Sequence, residues 1–401
     1  RDVLAREQVD VLVVDAELVE LVDRESFRAP VVVVGSSAAC EVHAGTTSLR
    51  AVRSSGARRL PLRPSKPLAP VLLTSGTTGT PKGAQRSVRA DPAAAAIVES
   101  IPYRFDDIVA ITSPLFHAWG LAQMGLAALL GATITVSASF DADRTLARLE
   151  HDAVTVLAVV PVILQRLLDA EGLDTTDLTA LRIVASSGSA LPIPVVENWL
   201  RRVGPNLYNL YGSTEVGQAT LATPADLTAS PSTAGRALAG STVVILDDAG
   251  RPLPPGSAGR IFVGNGSQFD GYTGGGGKEI IDGLMSTGDV GHLDESGLLF
   301  VTGRADDMIV SGGENVFPGE VEDLLLAVEG ISDVAVVGVD DDVFGQGLVA
   351  HVVTAPGVRL TSKQVRAAVA DNLARHKVPR RVVFCDELPR TATGKIRRNQ
   401  L

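Results

Sequence analysis

The chain has 401 residues, a length that fits roughly two to three domains of ordinary size. With 45% hydrophobic residues, and 36 basic against 46 acidic side chains, the composition is globular and neither disordered nor fibrous. The net charge of −10 argues against a general nucleic-acid binder, which needs a phosphate-neutralising surface. Cys40 and Cys385 stand alone, and no basic segment followed by an apolar one opens the chain at Arg1, so a reduced, cytoplasmic setting is expected.

The first elements read as strand, helix, strand. Near-continuous apolar runs at 9–15 and 30–35 have the character of buried parallel strands, and Leu18, Leu21 and Val22 predict a helix over 16–25. Similar strand-like runs follow at 70–73, 108–112, 132–136, 154–160 and 181–185, with helical patterns such as 162–170 between several of them. This alternation predicts an α/β fold with a doubly wound parallel sheet. Residues 108–140 contain no Asp, Glu, Lys or Arg, but Pro114, His117, Gln123 and several glycines interrupt the run. The expectation there is strand–loop–helix–strand in a buried core, with no integral membrane segment.

Near residue 241 short apolar runs joined by Gly/Pro turns take over, which predicts a small antiparallel β subdomain at about 235–303. After Arg304 the pattern changes again. Helices are expected at 320–328 and 362–373 and strands at 334–339 and 349–353, giving a large domain over 1–305 and a compact α+β domain over 306–401. The run T-G-G-G-G-K at 273–278 reads as a flexible loop. Residues 306–358 hold 11 acidic and no basic side chains, whereas 359–401 hold 11 basic and 3 acidic. Either the basic tail meets a phosphorylated ligand, or the two halves neutralise each other within one domain.

The segment L-L-T-S-G-T-T-G-T-P-K-G at 72–83 delivers a strand into a loop dense in Gly, Thr and Ser that ends on a lysine. Glycine lets backbone approach a phosphate, and hydroxyls with amide N–H groups surround its oxygens. It is not a Walker A loop, because Pro81 stands where that motif needs glycine. A generic Ser/Gly linker leaves Pro81-Lys82-Gly83, directly after a buried strand, unexplained.

This loop resembles the signature of the acyl-adenylate-forming superfamily, which includes acyl-CoA synthetases, adenylation domains of peptide synthetases and beetle luciferases. Further segments follow in that superfamily's order: S-P-L-F-H-A-W-G (113–120), S-S-G-S-A-L (186–191), N-L-Y-G-S-T-E (209–215), S-T-G-D (286–289), G-R-A-D-D-M-I-V-S-G-G-E-N (303–315) and P-R-T-A-T-G-K (389–395). The overall likeness is to bacterial fatty acyl-CoA synthetases of the FadD type. It begins partway into that family's large domain, so the chain is expected to be N-terminally incomplete relative to it.

The resemblance implies ATP, Mg²⁺ and coenzyme A as reactants, with Thr74, Ser75, Gly76, Thr77, Thr78, Gly79 and Lys82 around phosphate. Joining a carboxylate to the α-phosphate of ATP sets like charges together, and a cation such as Lys395 on a Gly-flanked loop can bridge them. Thr214 can bond the α-phosphate and Glu215 can hold Mg²⁺, a hard cation suited to oxygen ligands. Asn209, Tyr211, Gly212, Gly188, Ser189 and Ala190 are expected around adenine, where Tyr211 offers a flat face and the small residues permit close approach. Asp289 is expected on the ribose hydroxyls, assisted by Arg304. Asp306 matches the family's hinge, and Ser311, Gly312, Gly313 and Glu314 a channel for the pantetheine thiol; the glycine pair alone also reads as a tight turn. His117 is expected to position or gate, and Trp119 either borders the acyl pocket or packs in the core. The remaining histidines lack metal-ligand spacing.

No aspartate stands in F-H-A-W-G to pair a substrate ammonium, which favours an acid without an α-amino group. The leading expectation is a ligase that makes acyl-AMP from a fatty acid and passes it to CoA. The alternatives are transfer to a carrier protein, an aryl-acid CoA ligase, and a non-catalytic acyl or nucleotide sensor, the last opposed by intact Lys82, Glu215, Asp289 and Lys395. Peripheral membrane contact and a homodimer both stay open.

Overall fold

The run Val31–Val34 consists of β-branched side chains that favour extended backbone, and it forms the middle strand of a parallel three-stranded sheet. That sheet belongs to one of two compact units, Arg1–Val88 with Phe269–Gly277; the other is Arg89–Gln268 with Lys278–Leu401. The computed structural model describes every residue except 1, 8, 24–26, 36–45, 56–70, 75–81, 87–91, 342–344 and 392–393.

In the first unit a short helix, α1 (Asp2–Arg6), precedes β1 (Leu12–Asp15), β2 (Val31–Val34) and β3 (Thr46–Ser48), which lie in that order, and then α2 (Leu49–Ser54). The helix expected over 16–25 is a 3₁₀ turn, Ala16–Leu21, capped by the Asp15 carboxylate on Glu17 N at 3.1 Å. Only Val19 of it is buried, and Leu21 is 79% exposed, so its apolar spacing has no core partner to sustain an α-helix. The run at 70–73 also departs from expectation. It forms β4 (Val71–Thr74), which pairs antiparallel with β5 (Lys82–Gln85), and Gly271–Tyr272 adds a third strand on the far side of β5. The segment between β4 and β5 is too short for the crossover that a parallel partner requires.

The second unit begins with α3 (Pro92–Ser100) and then builds a seven-stranded sheet. β6 (Ile108–Ile111), β7 (Thr133–Val136), β8 (Val156–Val159), β9 (Ile183–Ser186) and β10 (Leu207–Ser213) run parallel. β11 (Gly217–Ala222) and β12 (Arg236–Ala237) continue it antiparallel. The spatial order is β12-β11-β10-β9-β8-β6-β7, so the winding reverses between β6 and β8. α4 (Ala118–Leu129), α5 (Ala142–His151), α6 (Pro161–Leu168), α7 (Ile193–Arg202) and α8 (Pro224–Ala229) connect the strands. The charge-free stretch thus becomes β6, α4 and β7, as expected. β8 and β9 are buried along their whole length, and Leu146 and Leu149 of α5 with Leu164 and Leu167 of α6 seal the same core.

A separate antiparallel sheet contains β13 (Thr242–Leu246), β14 (Gly259–Gly264), β16 (Ile280–Ile281), β17 (Leu284–Leu293) and β18 (Leu299–Arg304), where β15 is the Gly271–Tyr272 strand of the first unit. The C-terminal part has its own sheet, from β19 (Ile309–Ser311), β20 (Glu314–Val316), β21 (Ile331–Asp341), β22 (Gly345–Thr354) and β23 (Arg381–Phe384), covered by α9 (Pro318–Leu326) and α10 (Ser362–Asn372). A capping box of Thr361 and Gln364 starts α10, and Val321, Leu325, Val336, Ala350, Val365 and Val369 make the core. Its acidic and basic halves neutralise each other directly, through Arg390 on Asp333 at 2.7 Å, Arg398 on Glu322 at 2.6 Å and Lys377 on Glu320 at 2.5 Å. Among the described residues no helix is long and apolar enough to cross a membrane.

Candidate functional site

In an open α/β sheet, ligand groups gather beyond the carboxyl ends of the strands where the winding reverses. His117 follows β6 and occupies the N-cap of α4 in extended conformation, with no side-chain capping bond. Its ring lies 4.5 Å from that of Phe116. Burial first, and then the Lys395 charge, lower its pKa and favour the neutral ring. Trp119, early in α4, is 8% exposed and donates from Nε1 to the Val159 carbonyl at 2.9 Å, which makes it a core residue tying α4 to β8.

Gly188 and Ser189 follow β9 and are half-buried, and Ala190 beside them is exposed. Just before them, Ser187 Oγ donates to the Leu210 carbonyl at 2.8 Å and holds this loop to β10. Asn209, Tyr211 and Gly212 lie on β10, whose pairing with β11 slips by a bulge between Tyr211 and Gly212. Bulges re-aim side chains next to active sites. Thr214 and Glu215 sit in the turn that follows, both half-buried. Two bonds brace that turn: Glu215 N donates to Ser213 Oγ at 3.2 Å, and Asn265 Nδ2 donates to the Val216 carbonyl at 3.0 Å.

Asp289 on β17 stands opposite Arg304 on β18. The Tyr211 hydroxyl donates to Asp289 Oδ2 at 2.6 Å, and Arg304 Nη1 reaches Asp289 Oδ1 at 3.5 Å and the Thr287 carbonyl at 3.3 Å. Burial raises the Asp289 pKa above the usual carboxylate range, while Tyr211, Arg304, Lys278 and Lys395 pull it back. Arg304 also forks onto Asp306, at 2.9 and 3.0 Å, and this pairing holds the Asp306 carboxyl low. Lys278 is a cation that belongs to none of the sequence motifs; its Nζ comes within 3.3 Å of the Cβ position of Gly288.

Lys395 closes a tight turn in which Thr391 N donates to the Lys395 carbonyl at 2.8 Å and Lys395 N to Thr391 Oγ1 at 3.1 Å. Its side chain keeps solvent contact. Desolvation by the surrounding protein lowers its pKa, Glu215 and Asp289 oppose that shift, and Arg304 adds to it. One neighbourhood of the second unit therefore brings together Lys395, Glu215, Asp289, Arg304 and His117.

Ser75, Gly76, Thr77, Thr78 and Gly79 fall outside the described residues. Thr74 ends β4 and Lys82 begins β5 in the first unit, where the Lys82 ammonium lies 5.2 Å from the Tyr272 ring centroid. Ser311 is buried at the end of β19, and Gly312 and Gly313, with φ of 65° and 86°, form a two-residue hairpin turn to Glu314 on β20. Asp306 sits in the short 3₁₀ turn Ala305–Asp307 between β18 and β19. Among the described residues no group of three or more His, Cys, Asp and Glu could hold a metal by itself.

A parallel sheet with polar groups at its strand ends, an Asp–Arg pair on a second sheet and a lysine on a C-terminal turn make up the candidate site. The sequence matches the AMP-binding enzyme family over residues 1–273 and the AMP-binding enzyme C-terminal domain over residues 320–395, and the chain belongs to this acyl-adenylate-forming family. It is 38% identical over 345 residues to an indoleacetate–CoA ligase of Aromatoleum aromaticum, covering 84% of this chain and 67% of that protein. It is 37% identical to a methyl-dioxo-octahydroindenyl-propanoyl:CoA ligase of Rhodococcus jostii, covering 82% of this chain and 64% of that protein. A fatty acid–[acyl-carrier-protein] ligase of Streptomyces coeruleorubidus is 33% identical, with 84% of this chain and 67% of that protein covered. The chain thus spans roughly two thirds of the length of these relatives. Among solved structures, an anthranilate CoA ligase in complex with anthranoyl-AMP superimposes with a TM-score of 0.85 at 25% identity, covering 100% of this chain and 79% of that one.

Proposed function

We propose that the chain is an AMP-forming acid–CoA ligase acting on a ring-bearing carboxylic acid. What supports the reaction class is the electrostatic coupling of Lys395 to Glu215, Asp289, Arg304 and His117. In the first step the acid's carboxylate oxygen attacks the α-phosphorus of ATP, and pyrophosphate leaves. The Lys395 ammonium neutralises the two approaching anions, and the Thr214 hydroxyl bonds the α-phosphate. Asp289, flanked by Tyr211 and Arg304, accepts the ribose hydroxyls. In the second step the CoA sulfur attacks the acyl carbonyl and AMP leaves; neutral His117, at the head of α4, orients the carboxyl group.

The Glu215 carboxylate, next to Thr214 in one half-buried turn, fits Mg²⁺ as an oxygen donor and would hold it together with the nucleotide phosphates, the ligands this ion prefers. Bound there, the ion would disperse phosphate charge. In this reading Asp306 is the hinge between a 1–305 body and a 306–401 cap, and Ser311–Glu314 face the thiol route.

The named substrates of the relatives support indoleacetate-like or fused-ring acids over the fatty acid expected from sequence. A panel of indole-3-acetate, 2-succinylbenzoate, anthranilate and palmitate, scored by pyrophosphate release and CoA-dependent AMP release, tests both parts. Turnover with ring acids is expected; turnover with palmitate alone would restore the fatty-acid reading, and no release with any acid would remove the enzyme reading. The carrier-protein ligase at 33% identity supports a second acceptor, and AMP release that needs a carrier protein and not CoA would select it. Lys395→Ala should lower adenylate formation by about 10²–10³-fold while supplied acyl-AMP is still converted to thioester. Equal loss of both half-reactions would reject the role given to Lys395.

A further inference from the structure

α6 packs on the large core and also reaches the C-terminal segment, with Val162 in contact with both. Ile163, Leu164, Leu167 and Leu168 are buried against the sheet, whereas Val162 and Gln165, three residues apart and so on one side of the helix, are half-buried and meet the C-terminal segment. Gln165 Nε2 donates to the Ser332 carbonyl at 2.5 Å, across 167 positions of sequence. The next residue, Asp333, accepts from Arg390 Nη2 on both of its carboxylate oxygens, at 2.7 and 2.8 Å. Arg390 Nη1 in turn donates to the carbonyl of Gly394, the residue before Lys395. Gly394 itself lies against Val162, since a Cβ there would be 2.2 Å from Val162 Cγ1, and its φ of +81° already disfavours a side chain.

We propose that the Val162–Gln165 face of α6 is the seat that positions Lys395, with Gln165 a positioning residue acting through Ser332, Asp333 and Arg390. This rests on the adenylating role given to Lys395. What the seat supplies is rigidity. A lysine ammonium rides on a flexible four-carbon stem, so it is held in place only if the backbone that bears it is fixed. The Thr391–Lys395 turn is fixed at two points. Arg390 grips it from the C-terminal sheet, and α6 supports it from the seven-stranded sheet whose β10 leads into Glu215. Neither Val162 nor Gln165 carries a charge.

The test compares wild type with Gln165→Leu, which keeps the side chain's bulk and removes the donor, in three measurements: pyrophosphate exchange, thioester formation from supplied acyl-AMP, and amide hydrogen exchange over 389–397. Loss of one hydrogen bond to a carbonyl predicts a roughly 3- to 10-fold fall in adenylate formation, unchanged thioester formation, and faster exchange confined to 389–397. Unchanged exchange in that segment, or equal loss of both half-reactions, overturns the seat. Gly394→Ala should lower adenylation further, and Val162→Ala in the same chain should recover part of it by making room for the new methyl; no recovery would also count against the seat. If wild type adenylates no acid, the functional reading fails, and the exchange measurement alone decides whether α6 holds the segment.

Discussion

At the residue scale, Asp289 shows how neighbours set the state of a binding group. A carboxylate that accepts two ribose hydroxyls must be ionised, yet burial favours its neutral form, and only the Tyr211 hydroxyl and the nearby cations hold it down. Removing the phenol in Tyr211→Phe should therefore raise the Asp289 pKa further. The expected outcome is a higher KM for ATP, with the penalty growing as pH falls towards that pKa and shrinking at alkaline pH. A KM ratio that does not change as pH is lowered into the acidic range would place the Tyr211 contribution elsewhere. The residues of this cluster lie in motifs that a reader of sequence can find. Lys278, Gln165 and Asn265 do not. A side-chain amide or a lone lysine carries no periodicity, and what gives each its role is a partner brought close by folding, such as Ser332 for Gln165.

At the element scale, α9 and α7 meet through Asp323. Its carboxyl, on α9, accepts from the Ile193 backbone N–H at the start of α7. Burial first, and then repulsion from the adjacent Glu322 carboxylate, push its pKa up to about 7. An unfolded aspartate titrates near 4, so between about pH 4 and 7 the folded chain binds the extra proton, and this group's contribution to stability falls as pH rises. Asp323→Asn removes that dependence. Its melting temperature should exceed wild type at about pH 8, with the gap narrowing by about pH 5; a gap independent of pH would show that Asp323 is not the titrating group. Most of the elements are legible in the sequence. β8 and β9 are unbroken apolar runs because both faces are covered, and β6, α4 and β7 follow from one charge-free stretch whose Pro and Gly mark its turns. The departures at 16–25 and 70–73 share one cause. Apolar spacing reports which side chains can be buried, but the partner that buries them is chosen by connection length and tertiary contact.

At the scale of the whole molecule, the two compact units carry different reporters. Trp119 and Trp199 both lie in the core of the seven-stranded sheet, so tryptophan fluorescence follows the second unit alone. Among the described residues of the first unit, Val19, Val31 and Val33 form a small buried cluster, and Val13 on the same sheet is 62% exposed. Urea unfolding should therefore begin in the far-ultraviolet circular dichroism before the fluorescence moves. Coincident midpoints would mean that the units unfold as one.

The pairing of Arg390 with Asp333 and of Arg398 with Glu322 has a consequence for damage to the gene. A stop codon in place of Arg390 deletes Lys395, and with it cations that neutralise the acidic first half of the C-terminal segment. Such a lesion reaches the cell as a product short of both an active group and charge balance, exposed to protein quality control as well as catalytically silent.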